Sequence, residues 1–600
     1  MHPAPIQQEH KSAAGEYRVG LVMARRLWRV FGVLLDSRIG LACASLLVAK
    51  LLAEVVFYYA GRLPSEFYHV LGDRLTAAFF PLLLRCVVVV AGAGAAKAGL
   101  DYAAGMLGVM MRSVLTAYTH RRFIAAPCLY ATVTAGAVDN PDQRITQDIE
   151  RLATSLATAL PELLIAPFLI AYYSVKCWAI SGPLGPLAIY AYFAAGAMAS
   201  RAFMPPVIRA VFCLEREEGN LRFLELRLAQ LAEPIAFFAG EGRERAAADD
   251  ALGRVLDVLR RLLRSQLWLG LVTQIFAYLG STVSYVIIAV PIFMGAYDGK
   301  SGSELSSIIS LNAFVSMYLI YRFSVVIDHA KKLSDIAGYS ARIVQLWEEI
   351  DRVERDEDED EDQDHQLAQD STIDPSRITA ADATVCTPTG HRLVAGLTVD
   401  VSAGRSLLIT GPNGTGKTSV LRTLCGLWRP AAGCVRVPRS EVFFLPQTAY
   451  VVAGSLREQL SYPGLWGTAV RVCDDAELAR LLAAVGLASL VGRIAAASAS
   501  ASADHSAYDR PFPLQFWLQV LSPGEQQKIS IARVLFWKPR FAVLDECTSA
   551  LDPAAEAAVY QALLDARVTL VSVSHHESLR RYHAQCLDLG PLGSYTLTDI

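Results

Sequence analysis

A chain of 600 residues, 53% of them apolar, is more than one soluble core needs, and its mean hydropathy of +0.33 assigns part of it to lipid. The formal net charge of −3 supplies no basic excess, which sets nucleic acid aside as a partner. Eleven cysteines without a C-x-x-C pair argue against both a disulfide framework and a zinc site.

In chain order, the residues through Ala14 are polar or small and carry no cleavable secretory signal. Tyr17 to Leu35 sets Leu21, Trp28 and Phe31 among Arg18, Arg25, Arg26 and Arg29, which predicts an interfacial amphipathic helix on the cytosolic leaflet. Six apolar stretches follow, each near the roughly 20 residues that cross a bilayer. They run from Ile39 to Ala60, Ala77 to Leu100, Leu156 to Cys177, Gly182 to Phe203, Leu267 to Met294 and Leu305 to Phe323. Long polar intervals separate the second from the third and the fourth from the fifth, which predicts cytosolic extensions of the helices and both termini inside. Arg38, Arg121, Arg122, Arg201, Arg261 and Arg264 beside the cytosolic ends agree with that orientation.

The ionisable residues in or beside spans, Glu54, Arg85, Lys97 and Asp101, are candidates for a polar cavity or for pairs among themselves. The acidic run from Asp351 to Asp364 reads as a solvated linker, and the Ala/Ser patch from Ala495 to Ala503 as a surface insertion. The domains expected are therefore a tail and elbow helix over 1–38, a membrane domain over 39–350, an acidic linker over 351–374 and a second domain over 375–600.

That second domain carries phosphate chemistry. From Leu407 the sequence gives an apolar strand, then the glycine-rich turn Gly411-Pro-Asn413-Gly414-Thr-Gly416-Lys417-Thr418, then a helical pattern from Ser419. Glycines let backbone amides close around phosphate, Lys417 can reach the β- and γ-phosphates, and Thr418 can ligate Mg²⁺. Further on, Phe541-Ala-Val-Leu-Asp545-Glu546 is an apolar strand ending in two carboxylates. Asp545 suits Mg²⁺ and Glu546 suits polarisation of the attacking water.

Between these lies Leu521-Ser522-Pro523-Gly524-Glu525-Gln526-Gln527. Here the chain resembles the ATP-binding-cassette family, whose signature motif is similar to Leu-Ser-Gly-Gly-Gln. The resemblance implies an all-α six-helix, exporter-type membrane domain followed by an α/β P-loop nucleotide-binding domain, with ATP and Mg²⁺ as the ligands of the site. It implies that Ser522, Gly524 and Glu525 cover the nucleotide held by a partner's P-loop, and that Gln447 senses Mg²⁺ and the membrane domain. It further implies that Asp552 bridges the two cassettes and that His575 contacts the γ-phosphate, with His576 as its rival. One chain has one P-loop and one signature, so the working unit is expected to be a dimer of half transporters. Two positions depart from the family pattern: Pro523 replaces a glycine and removes an amide donor, and Cys386-Thr387-Pro388 stands where an adenine-stacking aromatic is usual.

Asn140-Pro-Asp-Gln-Arg-Ile-Thr-Gln-Asp148, Glu217-Glu-Gly-Asn-Leu-Arg-Phe223 and Ala232-Glu-Pro-Ile-Ala-Phe-Phe238 resemble motifs of subfamily D, in the excursions where that family places its coupling helices. Within the subfamily, Tyr285-Val-Ile-Ile-Ala-Val-Pro-Ile-Phe293 and the P-loop and signature wording are most similar to the lysosomal branch implicated in releasing cobalamin to the cytosol. The resemblance thus implies an ATPase that moves cobalamin across the lysosomal membrane, with the endoplasmic reticulum as a second location. Its expected partners are a second copy of the chain, the bilayer, the small-molecule substrate and a membrane chaperone for delivery. The alternatives are a peroxisomal acyl-CoA or fatty-acid transporter of the same subfamily, and a non-transporting regulator or channel on the same scaffold.

Overall fold

Lipid offers a backbone no hydrogen-bond partner, so a chain that enters it must satisfy its own amides, and all six apolar stretches are helical. The computed structural model describes residues 21–600 apart from 126–127, 136–137, 139, 369–376, 388–389, 465–473 and 498–507. The expected tail, the end of the acidic linker, Pro388 and most of the Ala/Ser patch lie outside the described residues. Two units separate by internal contacts, Met1–Asp356 and Glu357–Ile600.

The main helices of the first unit are α1 (Leu21–Leu34), α2 (Ser37–Gly72), α3 (Thr76–Phe123), α4 (Ile149–Ser181), α5 (Leu184–Gln230), α6 (Ala232–Phe237), α7 (Glu241–Phe293) and α8 (Gly302–Ala368), the last of which runs past Asp356. With 48 residues, α3 is about 70 Å long, more than twice the roughly 30 Å of hydrocarbon. The surplus of α3 packs in water against α4 and α8, where Leu107, Met111 and Leu115 meet Ile149, Leu152, Ile343 and Trp347. Buried Trp347 donates its Nε1–H to Thr119 Oγ1 at 3.0 Å, which satisfies the one polar atom of a large apolar side chain.

The Asn140–Asp148 motif has a specific local role. Asn140 takes a left-handed φ of 41° ahead of Pro141, and Arg144–Asp148 forms a single π turn. Arg144 and Asp148 are buried by it. Arg144 donates to the Arg342 carbonyl at 2.5 Å, and Arg342 pairs with Asp148 at 3.0 Å, which ties the entry of α4 to α8.

The acidic run, expected as a solvated linker, is helical: α8 continues through it to Ala368. Its first members are held by cations, Asp351 by Arg29 at 2.5 Å and by Arg122 at 2.7 Å, while Glu348 pairs with Arg26 at 3.0 Å. Partial burial alone would raise the Asp351 carboxyl, but Arg122 and Arg29 outweigh it and hold it below the usual range. The amphipathic α1 is thereby fastened to α8 at Glu348 and Asp351 by arginines that composition alone assigns to lipid headgroups.

In the second unit a six-stranded sheet runs in the order β5-β6-β7-β3-β8-β9, parallel except for the β8/β9 pair. Its strands are β3 (Leu407–Thr410), β5 (Val442–Leu445), β6 (Phe541–Asp545), β7 (Thr569–Val573), β8 (Gln585–Leu589) and β9 (Tyr595–Asp599). Every residue of β6 and β7 is buried, as apolar strands covered on both faces must be. A three-stranded antiparallel sheet of β1 (Arg377–Cys386), β2 (Arg392–Ser402) and β4 (Ala432–Arg436) lies in the same unit.

Candidate functional site

Open parallel sheets place their chemistry at the carboxyl ends of the strands, and β3, β6 and β7 all deliver the motif residues there. After β3 the glycine turn leads into α9 (Lys417–Leu424), which begins two residues before the Ser419 start expected from the pattern. Gly411 has a φ of 138°, and a Cβ there would lie 2.3 Å from the Leu589 carbonyl oxygen. Only glycine lets the turn pass that close to β8. Gly416 caps α9 in the left-handed region, and Gly414 is left-handed as well.

Lys417 is 7% exposed, and its ammonium donates to the carbonyls of Gly411 and Pro412 at 2.9 and 3.0 Å. Burial pushes its pKa down, and the carboxylates of Glu546 and Asp545 oppose that shift. Thr418 Oγ1 donates to Asp545 Oδ1 at 3.2 Å, so the hydroxyl and carboxylate assigned to Mg²⁺ already meet. The buried Asp545 carboxyl is raised by desolvation and by the neighbouring Glu546, with Thr418 pulling the other way. A hard oxygen donor set of this kind suits Mg²⁺.

Glu546 follows β6 with a left-handed φ of 45°, its amide held by the Val573 carbonyl at 3.1 Å. The strained backbone aims its carboxylate away from the strand. Gln447 Nε2 donates to one carboxylate oxygen at 2.9 Å, and His575 Nε2 lies 3.2 Å from the other. Three residues separated by 99 and 29 positions in sequence therefore form one cluster. His576 is turned elsewhere, with Nδ1 at 3.1 Å from Glu556, itself buried and bonded to Thr548. Of the two histidines, His575 is therefore the one beside Glu546.

The signature residues cap a helix of their own chain. Ser522 is the N-cap of α10 (Pro523–Trp537), and it forms a reciprocal capping box with Glu525. The second Glu525 oxygen takes Arg493 at 2.5 Å, and those bonds outweigh partial burial to lower its pKa. Pro523 stands at N1, where a missing amide costs the helix nothing. A Cβ on Gly524 would lie 2.9 Å from the Ala550 carbonyl oxygen, so glycine is needed for the approach to the segment before Asp552. Asp552 caps α11 (Pro553–Asp565) by accepting from Ala554 and Ala555 at 3.0 and 2.9 Å, and these bonds lower its pKa.

Two further residues of α10 join these loops, and the sequence alone assigns a role to neither. Gln527 donates to Ser549 Oγ at 3.2 Å and accepts from the Ala550 amide at 3.0 Å. Arg533 is buried and donates to the carbonyls of Tyr450 and Gln459 at 2.6 and 2.7 Å, holding the segment after Gln447. Desolvation brings its pKa down to about 10. Gln527 was legible as the last residue of the signature stretch, whereas nothing local marks Arg533.

The membrane unit holds a second cluster. Lys97 pairs with Asp101 at 3.0 Å on an exposed face, and Arg85 pairs with Glu66 rather than Glu54. Glu54 instead meets Arg322 and accepts from Tyr318 Oη at 2.7 Å. Arg322 also lies 3.5 Å from Glu162, which takes Lys50 at 2.5 Å. Two cations and two carboxylates from α2, α4 and α8 thus compensate one another.

The family description "ABC transporter transmembrane region 2" matches residues 31–293, and "ABC transporter" matches 394–549. A mouse protein described as the lysosomal cobalamin transporter ABCD4 is 36% identical over 96% of this chain and 95% of its own length. The human protein of the same description is 35% identical over 100% of this chain and 99% of its own length. The mouse ATP-binding cassette sub-family D member 3 is 28% identical over 84% of this chain and 77% of its own length. Among solved structures, a bacterial Atm1-family ABC exporter with ATP bound superposes with a TM-score of 0.66 at 18% identity, covering 92% of this chain and 94% of that one.

Proposed function

The chain belongs to subfamily D of the ATP-binding-cassette transporters, and from that premise we propose that it carries cobalamin from the lysosome to the cytosol. One membrane domain and one cassette make it a half transporter, so it works as a dimer in a bilayer and couples ATP hydrolysis to transport. The observation that carries the substrate reading is the end-to-end similarity to the cobalamin transporters, 36% over 96% of the chain against 28% over 84% for the subfamily D member 3 protein. The charge balance of the Lys50, Glu54, Glu162 and Arg322 cluster supports it, because it presents no excess cation to a polyphosphate. We read the partner as an identical chain and the location as the lysosomal membrane.

The residues then take these roles. Lys417 exchanges the Gly411 and Pro412 carbonyls for phosphate oxygens, a short move for an ammonium already at the turn. Glu546 orients and polarises the attacking water, and Gln447 and His575 fix its two oxygens. Thr418, Asp545 and Gln447 would hold Mg²⁺, which neutralises charge on the phosphates. Ser522 and Gly524 of the partner subunit close the site. Nucleotide contacts made only in the closed dimer shift it toward that state, and α6 with exposed Phe237 and Phe238 lies at the turn of the long α5/α7 excursion that would transmit the motion.

The test is ATP hydrolysis in liposomes with cobalamin or a long-chain acyl-CoA, using Glu546→Gln as the inactive control. Stimulation by cobalamin alone is expected. Stimulation by acyl-CoA alone overturns the substrate assignment, and hydrolysis insensitive to Glu546→Gln overturns the mechanism.

A further inference from the structure

The cytosolic extensions of α5 and α7 enclose a groove of 620 Å³ that none of these roles uses. Its walls are one stripe on each helix, from Pro206 to Glu217 and from Arg254 to Ser265, with lining residues recurring every three or four positions. The helices run antiparallel, so Glu217 faces Arg254 at the end away from the bilayer, at 3.7 Å. Charges cancel there: Arg216 lies 3.0 Å from Glu217, and Arg254 lies 2.6 Å from Asp250.

The other end is different. Among the described residues Arg209 reaches the Pro205 carbonyl alone, at 3.4 Å, and Asp257 is taken by Arg260 at 2.8 Å. Among the described residues, no carboxylate lies within ion-pair distance of Arg209, Arg261 or Arg264. Arg264 is one helical turn before the span that begins at Leu267, and Arg209 is two turns past the span that ends at Phe203. Three arginines from two helices therefore line one groove beside the ends of two candidate spans, with no carboxylate among the described residues to pair them. Like charges lining one groove repel unless an anion joins them, and guanidinium forks match phosphate oxygens two at a time.

We propose that this end of the groove binds a phosphate-bearing ligand through Arg209, Arg261 and Arg264, and that occupancy braces α5 against α7. Juxtamembrane placement makes the phosphorylated headgroup of a cytosolic-leaflet lipid the natural source, with a free inositol phosphate carrying the same chemistry. The site is independent of which substrate the transporter moves.

The full chain is reconstituted in nanodiscs of phosphatidylcholine containing phosphatidylserine or phosphatidylinositol bisphosphate, and retained lipid is measured by native mass spectrometry. Preferential retention of the bisphosphate lipid is expected, falling about tenfold in Arg261→Gln/Arg264→Gln. Arg245→Gln, on the exposed Arg245–Asp249 pair, leaves it unchanged. Displacement by soluble inositol trisphosphate assigns the site to the phosphates alone, and resistance to displacement assigns it to the membrane lipid. Should the double glutamine variant fail to fold, Arg261→Lys/Arg264→Lys keeps the charge and loses the fork, and weaker retention is again expected. Equal retention of the two anionic lipids, or retention unaltered by either double variant, overturns the proposal.

Discussion

In the cassette, Gln447, Glu546 and His575 meet where strands end, with the His575 side chain still 44% exposed. In the membrane unit, Lys50, Glu54, Glu162 and Arg322 meet in the middle of helices, with the Arg322 side chain 7% exposed. The first cluster is partly exposed, and on the proposed mechanism its members exchange partners during turnover. The second is closed, because every charge is answered by another on a different helix. A site that does chemistry stays incomplete until its substrate binds, whereas charges placed in lipid must be complete from the start.

The comparison is broken most directly by substitutions that should act on one quantity and spare the other. Glu546→Gln keeps the shape and the link to Gln447 but removes the base, so hydrolysis should fall by about 10²–10⁴-fold with ATP binding and thermal stability retained. Single-turnover hydrolysis beside nucleotide binding checks it. Arg322→Met should do the reverse. It strands Glu54 and costs about 3–5 kcal/mol of stability, by the rule for a buried pair that loses one partner. Unfolding in a fixed detergent should show it, and Arg322→Met/Glu54→Met should recover most of the loss. If the single variant is as stable as the parent, the cluster is hydrated and the contrast fails.

The two clusters also differ in how far they could be read in advance. Lys417, Thr418, Asp545 and Glu546 were legible because each sits in a contiguous pattern whose strand and turn are written beside it. Gln447 and His575 were placed by resemblance, and their meeting at Glu546 follows from β5, β6 and β7 lying side by side. The six spans were legible from apolar length, but the membrane cluster was not. Lys50 and Glu162 each stand alone among apolar residues, and Arg322 falls at the edge of the last span, where a cation ordinarily marks the interface. The helical form of the acidic run was not legible for a related reason: its charge density predicts a solvated linker, and the arginines of α1 and α3 that pair with Asp351 lie more than two hundred positions away.

A buried histidine sharpens the contrast within the cassette. His583 is 7% exposed, its Nδ1–H donates to the Leu579 carbonyl and its Nε2 accepts from the Ser572 hydroxyl, and burial pushes its pKa down to about 4 from the ordinary 6.5. Between those values the unfolded chain binds a proton that the folded one excludes, so stability rises with pH across that window and is lost as pH falls through it. The full loss is about 3 kcal/mol. The cassette thus buries its histidine neutral, while the membrane unit buries its charges in pairs. Chemical unfolding between pH 4 and pH 7 should show the slope, and His583→Gln should flatten it. A slope unchanged in that variant would assign it to other groups.

The smallest effect separates two jobs given to one residue. Ser522 caps α10 in its own chain, and the family resemblance also sends it to the nucleotide held by the partner subunit. Ser522→Ala removes the cap and should cost about 1 kcal/mol of stability. Glu525→Ala removes the other half of the same box and the Arg493 pair, at a similar cost. Were capping the whole role of both, the two variants would lose stability alike and keep ATPase activity alike. The expected outcome is a split: Glu525→Ala retains most hydrolysis, while Ser522→Ala loses it by at least tenfold, because a bond to a charged phosphate is worth about 1.5–3 kcal/mol and is made only in the closed dimer. Equal activities would instead confine Ser522 to its own helix and leave the amides beyond Pro523 as the whole of the signature's contact.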